Sequence, residues 1–424
     1  MTRFIGILGI ILMMGIAYIF SSHRKSINWR TIAWGFGLQL LFAILILKTA
    51  PGQWIFTQCN DVVLAILGCS DQGARFVFGN LVGMFVEVGK IDPNGNFAQV
   101  DGMVVNNGMA IFAFSVLPII IFFSSISAIL YHYGILQKIV EFIARIMAKS
   151  MRTSGSESLA AASNIFVGQI ESPLVVRPYL SGMTISELNA VMVGGFATIA
   201  GSVMAAYVGM LKDVIPNIAG HLLAASIMSA PAGLMMAKLF YPETESSKTM
   251  GTAKLSYEKK QNGIDAAAAG AGEGLKLALN VAAMLIAFIS IVALINLGLG
   301  LIHHDLSLSK IFGWVLAPLA WTMGVPWSDA SRFGDLLGTK LMVTELVAYL
   351  KLQGYAALMN SKSQIIATYA LCGFANVGSI AIQIGGISAL VPERRGDLAR
   401  LSLRAMIAGA FASWITACVA GILI

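Results

Sequence analysis

Long apolar segments dominate this sequence and restrict what the chain can fold into. A helix needs about 20 apolar residues to cross a bilayer, and inside lipid every backbone polar group must be hydrogen-bonded within the protein. The apolar runs are continuous rather than alternating, which excludes a transmembrane β-barrel. We therefore predict an all-α polytopic membrane protein with eight transmembrane helices, near 4–21, 32–49, 110–132, 187–211, 219–240, 277–302, 364–390 and 402–424.

The distribution of charge agrees with a membrane protein. Charged residues make up 12% of the 424 residues, against about 25% in a soluble protein. The formal net charge is +7, but the basic residues lie in short loops between apolar segments, so we expect contact with lipid and no nucleic-acid partner. The basic cluster His23, Arg24 and Lys25 follows the first apolar segment, which has no small-residue cleavage site. We expect this segment to be retained, with both termini outside the cytoplasm.

Several segments do not fit as spans. Residues 135–151 place apolar side chains at helical spacing opposite lysine and arginine, the pattern of a helix lying in the membrane interface. Residues 308–325 predict a second interfacial helix, and residues 51–68 suggest a third. The segment 89–107 is polar and turn-rich, so a loop is expected there, and 241–272 has the composition of a cytoplasmic linker.

Two further segments combine good helix formers at both ends with polar residues in the middle. Residues 156–180 contain Gln169 and Glu171 at their centre, and residues 332–350 contain Glu345. Neither segment has an uninterrupted apolar stretch long enough to span. Each is therefore predicted to be a re-entrant helical hairpin whose tip stops near the midplane, where irregular backbone must be buried in protein or line a watery cavity.

A glycine-rich motif occurs twice, as GFATIAGSV at 195–203 and as GFANVGSI at 373–380. Each half of the chain has the same order: an interfacial helix, a hairpin with a glutamate, a span broken by the motif and a closing span. The topology predicts that the two hairpins enter from opposite faces, and inverted repeats with glycine-broken spans are typical of secondary transporters. We accordingly predict four units: scaffold spans 1–3 with an interfacial helix and the polar loop (1–134), a first inverted repeat (135–240), a cytoplasmic linker with scaffold span 6 (241–306) and a second inverted repeat (307–424).

Glu171 and Glu345 are the strongest candidates for binding a substrate. A carboxylate at bilayer depth costs about 2.5–3.5 kcal/mol on insertion scales, so two of them at matching positions indicate a polar substrate held by both. The alternative is a structural role, in which these acids pair with Arg177 or Lys340.

Several longer motifs resemble the concentrative nucleoside transporter family, among them ASNIFVGQIESPLVVRPY, TELVAYL, CGFANVGSIAI, LAPLAWTMGVPW and PERRGDLAR. The resemblance covers nearly the whole chain in order and points to the bacterial eight-span branch. It implies a homotrimer in the bacterial inner (cytoplasmic) membrane, with periplasmic termini, in which each protomer carries its own transport domain. It also implies cation-coupled import of nucleosides without an organic cofactor.

On the nucleobase side, the resemblance implies contacts from Gln169 and Glu171 at the first hairpin tip and from Val203 on the first broken span. The family usually has a small polar residue between the glutamine and the glutamate, whereas this chain has Ile170. Loss of that hydroxyl predicts altered selectivity between purines and pyrimidines.

On the ribose side, the resemblance implies that Glu345 binds sugar hydroxyls together with Asn376 and Ser379, while Phe374 packs against the nucleoside. Carboxylates and amides can accept from hydroxyls, and amides can also donate to them. The asparagine usual before this glutamate is Thr344 here.

The family's sodium site corresponds to the side chains of Asn164 and Thr198 and the backbone carbonyls of Val167 and Ile199. Hard cations prefer such oxygen ligands. The match favours Na⁺, and a proton-coupled symporter of the same fold is the alternative. For Asn164 and Thr198 the alternative role is ordinary hydrogen bonding between helices.

Two other functional classes are disfavoured. The sequence contains no HExxH and no Gly-x-Gly-Asp motif, and most of its histidines lie at or near predicted span ends, so an intramembrane enzyme is not expected. A passive channel stays open as an alternative, because only accumulation against a concentration difference separates a carrier from a pore.

Overall fold

A computed structural model describes residues 2–82, 85–91, 97–106, 111–250 and 260–424 of the protein. The α-helices in these ranges, numbered α1 to α19 in chain order, are Thr2–Ile19, Trp29–Lys48, Ala50–Phe78, Phe112–Ser115, Leu117–His132, Ile135–Met151, Gly155–Ser163, Glu171–Val175, Arg177–Leu180, Ile185–Ala197, Gly201–Leu211, Ile218–Phe240, Gly263–Ile302, Leu308–Thr322, Trp327–Met342, Glu345–Tyr355, Ser361–Leu371, Val377–Leu390 and Arg395–Leu423. Short 3₁₀-helices occupy Arg24–Ser26, Gly79–Val82, Ala356–Leu358 and Pro392–Arg394, and two strands, β1 and β2, occupy Phe85–Ile91 and Phe97–Asn106.

The fold is that of an all-helical polytopic membrane protein, as predicted. Among the described residues, six helical segments are long and apolar enough to cross a membrane, namely Trp29–Lys48, Phe112–His132, Ile185–Leu211, Ile218–Phe240, Gly263–Ile302 and Pro392–Leu423. Two shorter apolar helices, Ile5–Ile19 and Val377–Leu390, correspond to the two remaining predicted spans. The predicted span at 364–390 is divided into α17 and α18, so only its second half is a continuous apolar helix.

The spans differ in how far the protein itself buries them. The apolar window of α10–α11 and that of α12 are each 89% buried, and that of α19 is 83% buried. The corresponding windows of α2, α5 and α13 are 33%, 22% and 11% buried. The core therefore lies around α10–α12 and α19, and α2, α5 and α13 form the periphery.

Helices α5 and α13 pack closely through small residues. A Cβ on Gly270 would lie 2.6 Å from the Ala128 Cβ, and one on Gly274 would lie 2.7 Å from the Ile121 Cα. Glycines four positions apart let two helix backbones approach, which is the usual way that membrane helices gain packing contacts.

The predicted loop at 89–107 is wrong for most of its length. Strands β1 and β2 pair antiparallel there, from Phe85 opposite Asn106 to Ile91 opposite Phe97, with an irregular register between Glu87 and Gly89. The intervening sequence DPNGN combines residues that favour tight turns, and strand-forming residues flank it. Residues 92–96 and 107 of this segment lie outside the described residues.

Three helices extend beyond their predicted bounds. Helix α3 runs for 29 residues where only 51–68 was expected to be helical, and α13 begins at Gly263, inside the predicted linker 241–272. The alanine-rich start of α13 is a strong helix former, and the Asn262 side chain accepts from the Asp265 backbone N–H at 2.9 Å to cap it. Helix α19 begins at Arg395, ahead of residue 402. Of the predicted linker, residues 251–259 lie outside the described part of the chain.

The two predicted interfacial helices at 135–151 and 308–325 are present as α6 and α14. Helix α6 buries Val140, Met147 and Met151 on one side and exposes Ile139 and Phe142 on another. Helix α14 is followed by a bend of 116° into α15, which turns the chain back along itself. Their position in the membrane interface stays a prediction.

Both predicted hairpins are helical at their arms and irregular at their tips. Hairpin 1 consists of α7, the tip 164–170, α8 and α9, and a capping box of Ser154 and Glu157 starts its first arm. Hairpin 2 consists of α15, the tip 343–344 and α16, and the Thr344 hydroxyl accepts from the Val347 N–H at 3.3 Å to cap α16. We call α10–α11 the first broken span and α17–α18 the second broken span.

Candidate functional site

The two broken spans meet at their breaks. Helix α10 ends at Ala197 and is followed by Thr198, whose carbonyl accepts from the Phe374 N–H at 3.2 Å. Gly373, at the break of the second span, has φ +148°, and a Cβ there would lie 2.8 Å from the Phe196 carbonyl oxygen. Only glycine combines that conformation with so close an approach. The repeated motif thus brings the two breaks into direct contact.

The tip of hairpin 1 lies against the first break. The Gly201 N–H, at the start of α11, donates to the Phe166 carbonyl at 2.9 Å. A Cβ on Gly201 would lie 3.0 Å from the same oxygen. Hairpin 1 and the first broken span therefore pack together where each is not helical, at the tip of the hairpin and at the break of the span.

Gln169 connects hairpin 1 to the second broken span. Its Nε2 donates to the Ser379 Oγ at 3.3 Å, and its Oε1 accepts from the Gln383 Nε2 at 3.1 Å. The Gln383 Nε2 also donates to the Met192 carbonyl at 3.1 Å. Gly195 leaves room for both amides, because a Cβ there would lie 2.8 Å from the Gln383 Nε2 and 2.9 Å from the Gln169 Cβ.

Glu345 connects hairpin 2 to both broken spans. Its Oε1 accepts from the Tyr207 Oη at 2.7 Å, and its Oε2 accepts from the Asn376 Nδ2 at 2.8 Å. The Asn376 Oδ1 in turn accepts from the Ser379 N–H at 2.7 Å and caps α18. The buried carboxylate is therefore held in one orientation by two donors from different helices.

Lys340 is not the partner of Glu345. Its Nζ donates to the Ala370 carbonyl and to the Ser413 Oγ, each at 2.8 Å. The alternative of a Glu345–Lys340 ion pair is therefore wrong, because the carboxylate takes its hydrogen bonds from the neutral donors named above. Arg177 lies exposed near the end of hairpin 1.

Two of the proposed cation ligands, Asn164 and Thr198, lie beside Gly194. The Thr198 Oγ1 donates to the Gly194 carbonyl at 3.0 Å, and a Cβ on Gly194 would lie 2.9 Å from the Asn164 Nδ2. The Asn164 Nδ2 donates to the Ala160 carbonyl at 3.1 Å, whereas its Oδ1 is buried without a hydrogen-bond partner among the described residues. A buried oxygen without a donor is suited to a cation, because its lone pairs are otherwise unsatisfied. The backbone of Ile199 at the same break is buried with it.

The other candidate residues lie at the edge of this cluster. Val203 is buried in the first turn of α11, and Phe374 is half-buried at the second break. Val167 is half-buried in the tip of hairpin 1, and Ile170 at the same tip is 41% exposed. A Cβ on Gly386 would lie 3.0 Å from the Ile170 Cγ2, so that side chain packs against α18.

Glu171 is placed differently from Glu345. It is exposed in the protomer, and a Cβ on Gly168 would overlap its Oε2, so the carboxylate folds back over its own tip. The second hairpin thus presents a buried acid held by two donors, while the acid of the first belongs to an exposed residue and lies against its own tip.

Tyr207 and Gln383 are part of the site but were not predicted from the sequence. Each stands one helical turn after a predicted residue, Tyr207 four positions after Val203 and Gln383 four positions after Ser379. Residues four apart share a face of a helix, so this spacing was the available signal.

Three family models match this chain. The N-terminal model of the Na⁺ dependent nucleoside transporters matches residues 8–81, a nucleoside recognition "Gate" model matches 113–214, and the C-terminal model of the same transporters matches 221–421. An uncharacterized transporter of Haemophilus influenzae is 42% identical over 429 residues, which cover 99% of this chain and 97% of that protein.

Mouse sodium/nucleoside cotransporter 1 is 40% identical over 437 residues, which cover 98% of this chain. The matched part is 63% of the mouse protein, so this chain spans less than two thirds of that relative's length. The same share, 63%, holds for the rat protein of that name, which is also 40% identical.

Solved structures of the transporter CNTnw have the same fold. CNTnw in an inward-facing substrate-bound state matches with a TM-score of 0.88 and 40% identity, over 100% of this chain and 98% of that one. A CNTnw variant in an outward-facing state matches with a TM-score of 0.89, also at 40% identity and with the same coverage. With a full-length bacterial relative and family models along most of the sequence, this chain belongs to the Na⁺-dependent, or concentrative, nucleoside transporter family.

Proposed function

We propose that this protein is a secondary active symporter that imports nucleosides across the cytoplasmic membrane by coupling them to Na⁺. One observation carries the proposal: Glu345, Asn376, Ser379 and Gln169 form a continuous hydrogen-bonded series from hairpin 2 through the second broken span to hairpin 1. Carboxylate, hydroxyl and amide groups in one buried series are the chemistry that hydroxyl-bearing, hydrogen-bonding solutes require.

The ribose lies, in this proposal, against Glu345, Asn376 and Ser379, with Phe374 packed on the nucleoside. Glu345 has two lone pairs engaged by Tyr207 and Asn376 and retains acceptor capacity for sugar hydroxyls. A site built to hydrogen-bond a hydroxyl discriminates strongly against analogues that lack it, because the buried acceptor is then left unpaired.

The nucleobase lies, in this proposal, against Gln169, Glu171 and Val203, with Ile170 beside them. Gln169 has donor and acceptor groups on one side chain and is only 8% exposed. The Gln383 Nε2, which also donates to the Met192 carbonyl, fixes the orientation of its amide. Glu171 is an exposed residue at the tip of hairpin 1, and in this proposal its carboxylate contacts a substrate that enters beside that tip. An apolar Ile170 at this tip favours contact with a base edge that carries no donor.

The coupling ion lies, in this proposal, between the Asn164 Oδ1, the Thr198 Oγ1 and the carbonyls of Val167 and Ile199. The family name gives Na⁺ as the ion on which these transporters depend. The unpartnered Asn164 Oδ1 favours a metal cation over a proton, because an amide oxygen is a good Na⁺ ligand and a poor base. Proton coupling is the second candidate.

We also propose a homotrimer in the bacterial inner membrane with both termini in the periplasm. The exposed apolar surface of α13 supports burial in lipid or against another protomer. The basic cluster after α1 supports a cytoplasmic position for the α1–α2 connection.

The transport cycle follows from two hairpins on opposite faces. Na⁺ binding orders the tip of hairpin 1 and so raises nucleoside affinity, and the nucleoside raises Na⁺ affinity by the same factor. The hairpins and broken spans then move as a unit past the peripheral helices. An inward Na⁺ gains about 2.3 kcal/mol per 100 mV, which supports accumulation of a neutral solute by some tens-fold at one ion per molecule.

A thermal-shift panel tests this function. The purified protein is heated with uridine, cytidine, adenosine, guanosine or free ribose, in NaCl or in choline chloride of equal ionic strength. The proposal predicts stabilisation by nucleosides that is larger in sodium, with free ribose having little effect. Equal shifts of the melting temperature in both salts would contradict Na⁺ coupling. The absence of a shift with every nucleoside would contradict nucleosides as the substrate class.

A further inference from the structure

Lys340 is a fully buried lysine beside the site that the proposed mechanism does not use. It lies on the first arm of hairpin 2, five positions before Glu345, and its exposure is 0%. A buried ammonium is costly unless it is hydrogen-bonded and its charge is compensated. The position therefore calls for an explanation in terms of the groups around it.

The acceptor of Lys340 is a carbonyl released by the break in the second span. In a continuing helix the Ala370 carbonyl would accept from the N–H four residues on, which is that of Phe374. That N–H donates to the Thr198 carbonyl instead, and the Lys340 Nζ takes its place on Ala370 at 2.8 Å. The second hydrogen bond of the ammonium, to the Ser413 Oγ at 2.8 Å, fixes it against α19.

The two halves of the inverted repeat differ at this point. The motif aligns Met192 with Ala370, three positions before Gly195 and Gly373 respectively. The Met192 carbonyl accepts from a neutral amide, that of Gln383, whereas the Ala370 carbonyl accepts from a cation. Hairpin 2 thus places a positive charge, that of Lys340, next to the break of the second broken span.

The first half holds an unpartnered oxygen near its break and the second half holds an ammonium near its own, at positions that are not equivalent: Asn164 stands seven residues before Glu171, and Lys340 five residues before Glu345. The Asn164 Oδ1 is buried without a donor, and this is the position at which a mobile cation is proposed to bind. Lys340 and Glu345 are both buried and lie on the two arms of hairpin 2, on either side of its tip, and they share no hydrogen bond among the described residues. The acid of hairpin 2 is thus compensated by the protein itself.

We propose that Lys340 is the resident cation of hairpin 2, and that it does for Glu345 and the second broken span what the imported cation does for hairpin 1. This inference rests on the proposed nucleoside transport and makes Lys340 a positioning residue for the ribose-binding acid. Because hairpin 2 is assembled without an imported ion, Na⁺ acts on hairpin 1 alone. The ribose side of the site is then formed before Na⁺ binds.

The test compares variants in their discrimination between uridine and 3′-deoxyuridine. Lys340→Met has similar volume and no charge, a replacement that buried ionic sites often tolerate for folding. We expect it to bind uridine at least tenfold more weakly at saturating Na⁺ and to lose most of its preference for uridine over 3′-deoxyuridine. Its half-saturation by Na⁺ should stay within threefold of the wild type, since hairpin 1 is unchanged.

Two further variants separate charge from packing. Ser413→Ala removes one hydrogen bond of the ammonium but leaves the charge, and should retain the uridine preference. Lys340→Arg keeps a positive charge and should retain more of the uridine preference than Lys340→Met does. If Lys340→Met does not fold, Lys340→Arg becomes the deciding variant. Loss of the uridine preference in a folded Lys340→Arg protein would then contradict the proposal. A folded Lys340→Met with wild-type affinity and wild-type preference would overturn it. If the wild type itself binds no nucleoside, the proposed function fails instead, so the two failures are distinguishable.

Discussion

The phenol of Tyr207 on α11 donates to the Glu345 Oε1 on hairpin 2 at 2.7 Å, joining the first broken span to the acid of the second half. Both side chains are buried. A hydrogen bond to a buried charged group is worth about 1.5–3 kcal/mol. This contact therefore joins the two predicted repeats through the residue that is proposed to hold the ribose.

Tyr207→Phe removes that donor and keeps the ring. We expect nucleoside affinity to fall by about 10- to 100-fold, because the carboxylate loses one of its two orienting donors. Tyr349→Phe is the matched control, since Tyr349 stacks on Tyr207 with ring centroids 4.5 Å apart but donates to the Thr368 carbonyl at 2.8 Å. Isothermal titration of uridine measures both. Equal losses in the two variants would assign the effect to packing.

The sodium site is tested by Asn164→Ala. At a Na⁺ concentration ten times Kd, binding stabilises the protein by about 1.4 kcal/mol, and a tenfold weaker Kd leaves about 0.4 kcal/mol. We therefore expect the sodium-induced thermal shift to fall to about 30% of its wild-type size at the same Na⁺ concentration. Asn189→Ala is the control, because the Asn189 Oδ1 is likewise buried without a partner among the described residues, but Asn189 lies nine residues before the break at Thr198. Loss of the sodium shift in the control alone would relocate the site.

Base selectivity is tested at the tip of hairpin 1. Ile170→Thr introduces a hydroxyl beside Gln169 and is expected to shift the ratio of uridine to adenosine affinity by about 3- to 30-fold, or about 1–2 kcal/mol. Leu174→Thr is the control, since Leu174 is 43% exposed one turn later on the same hairpin, against 41% for Ile170. Competition uptake against radiolabelled uridine gives the ratio. An unchanged ratio in Ile170→Thr would contradict a base-reading role for this position.

The contact between the two breaks is tested by Gly373→Ala. A Cβ at this φ of +148° would press on the Phe196 carbonyl at 2.8 Å, so we expect a loss of about 1–3 kcal/mol in stability together with weaker nucleoside binding. Gly385→Ala is the control: a Cβ there meets no atom within 4 Å, and alanine gains up to about 1 kcal/mol over glycine inside a helix. Thermal unfolding in detergent compares the two. A Gly373→Ala protein as stable as the wild type would show that the breaks can separate freely.

The sequence was sufficient to locate the hairpins and the broken spans. Polar residues such as Glu171 and Glu345 interrupt apolar segments, and at bilayer depth such interruptions have few structural solutions. The breaks were visible because glycine and small residues recur at matching positions in the two halves. These signals are local in the chain, so no knowledge of packing was needed.

The partners of the central side chains could not be read from the sequence. A lone tyrosine or glutamine in an apolar helix, such as Tyr207 or Gln383, has no local mark of function until the facing helix is known. The same limit left the pairing of Glu345 with Lys340 open as an alternative, although the two residues, five apart in the chain, are bonded to different elements. The β1–β2 pair was missed for another reason, since its turn sequence was present but the surrounding segment was read as a loop.

The central claim is that an inward Na⁺ gradient drives nucleoside accumulation through the paired hairpins. Its most direct test is uptake of radiolabelled uridine into proteoliposomes with NaCl outside and choline chloride inside, beside vesicles with a pH gradient alone and vesicles with Glu345→Gln. We predict transient accumulation above the equilibrium level with the Na⁺ gradient only, and none with Glu345→Gln. Accumulation driven by the pH gradient and indifferent to Na⁺, or undiminished in Glu345→Gln, would contradict the account.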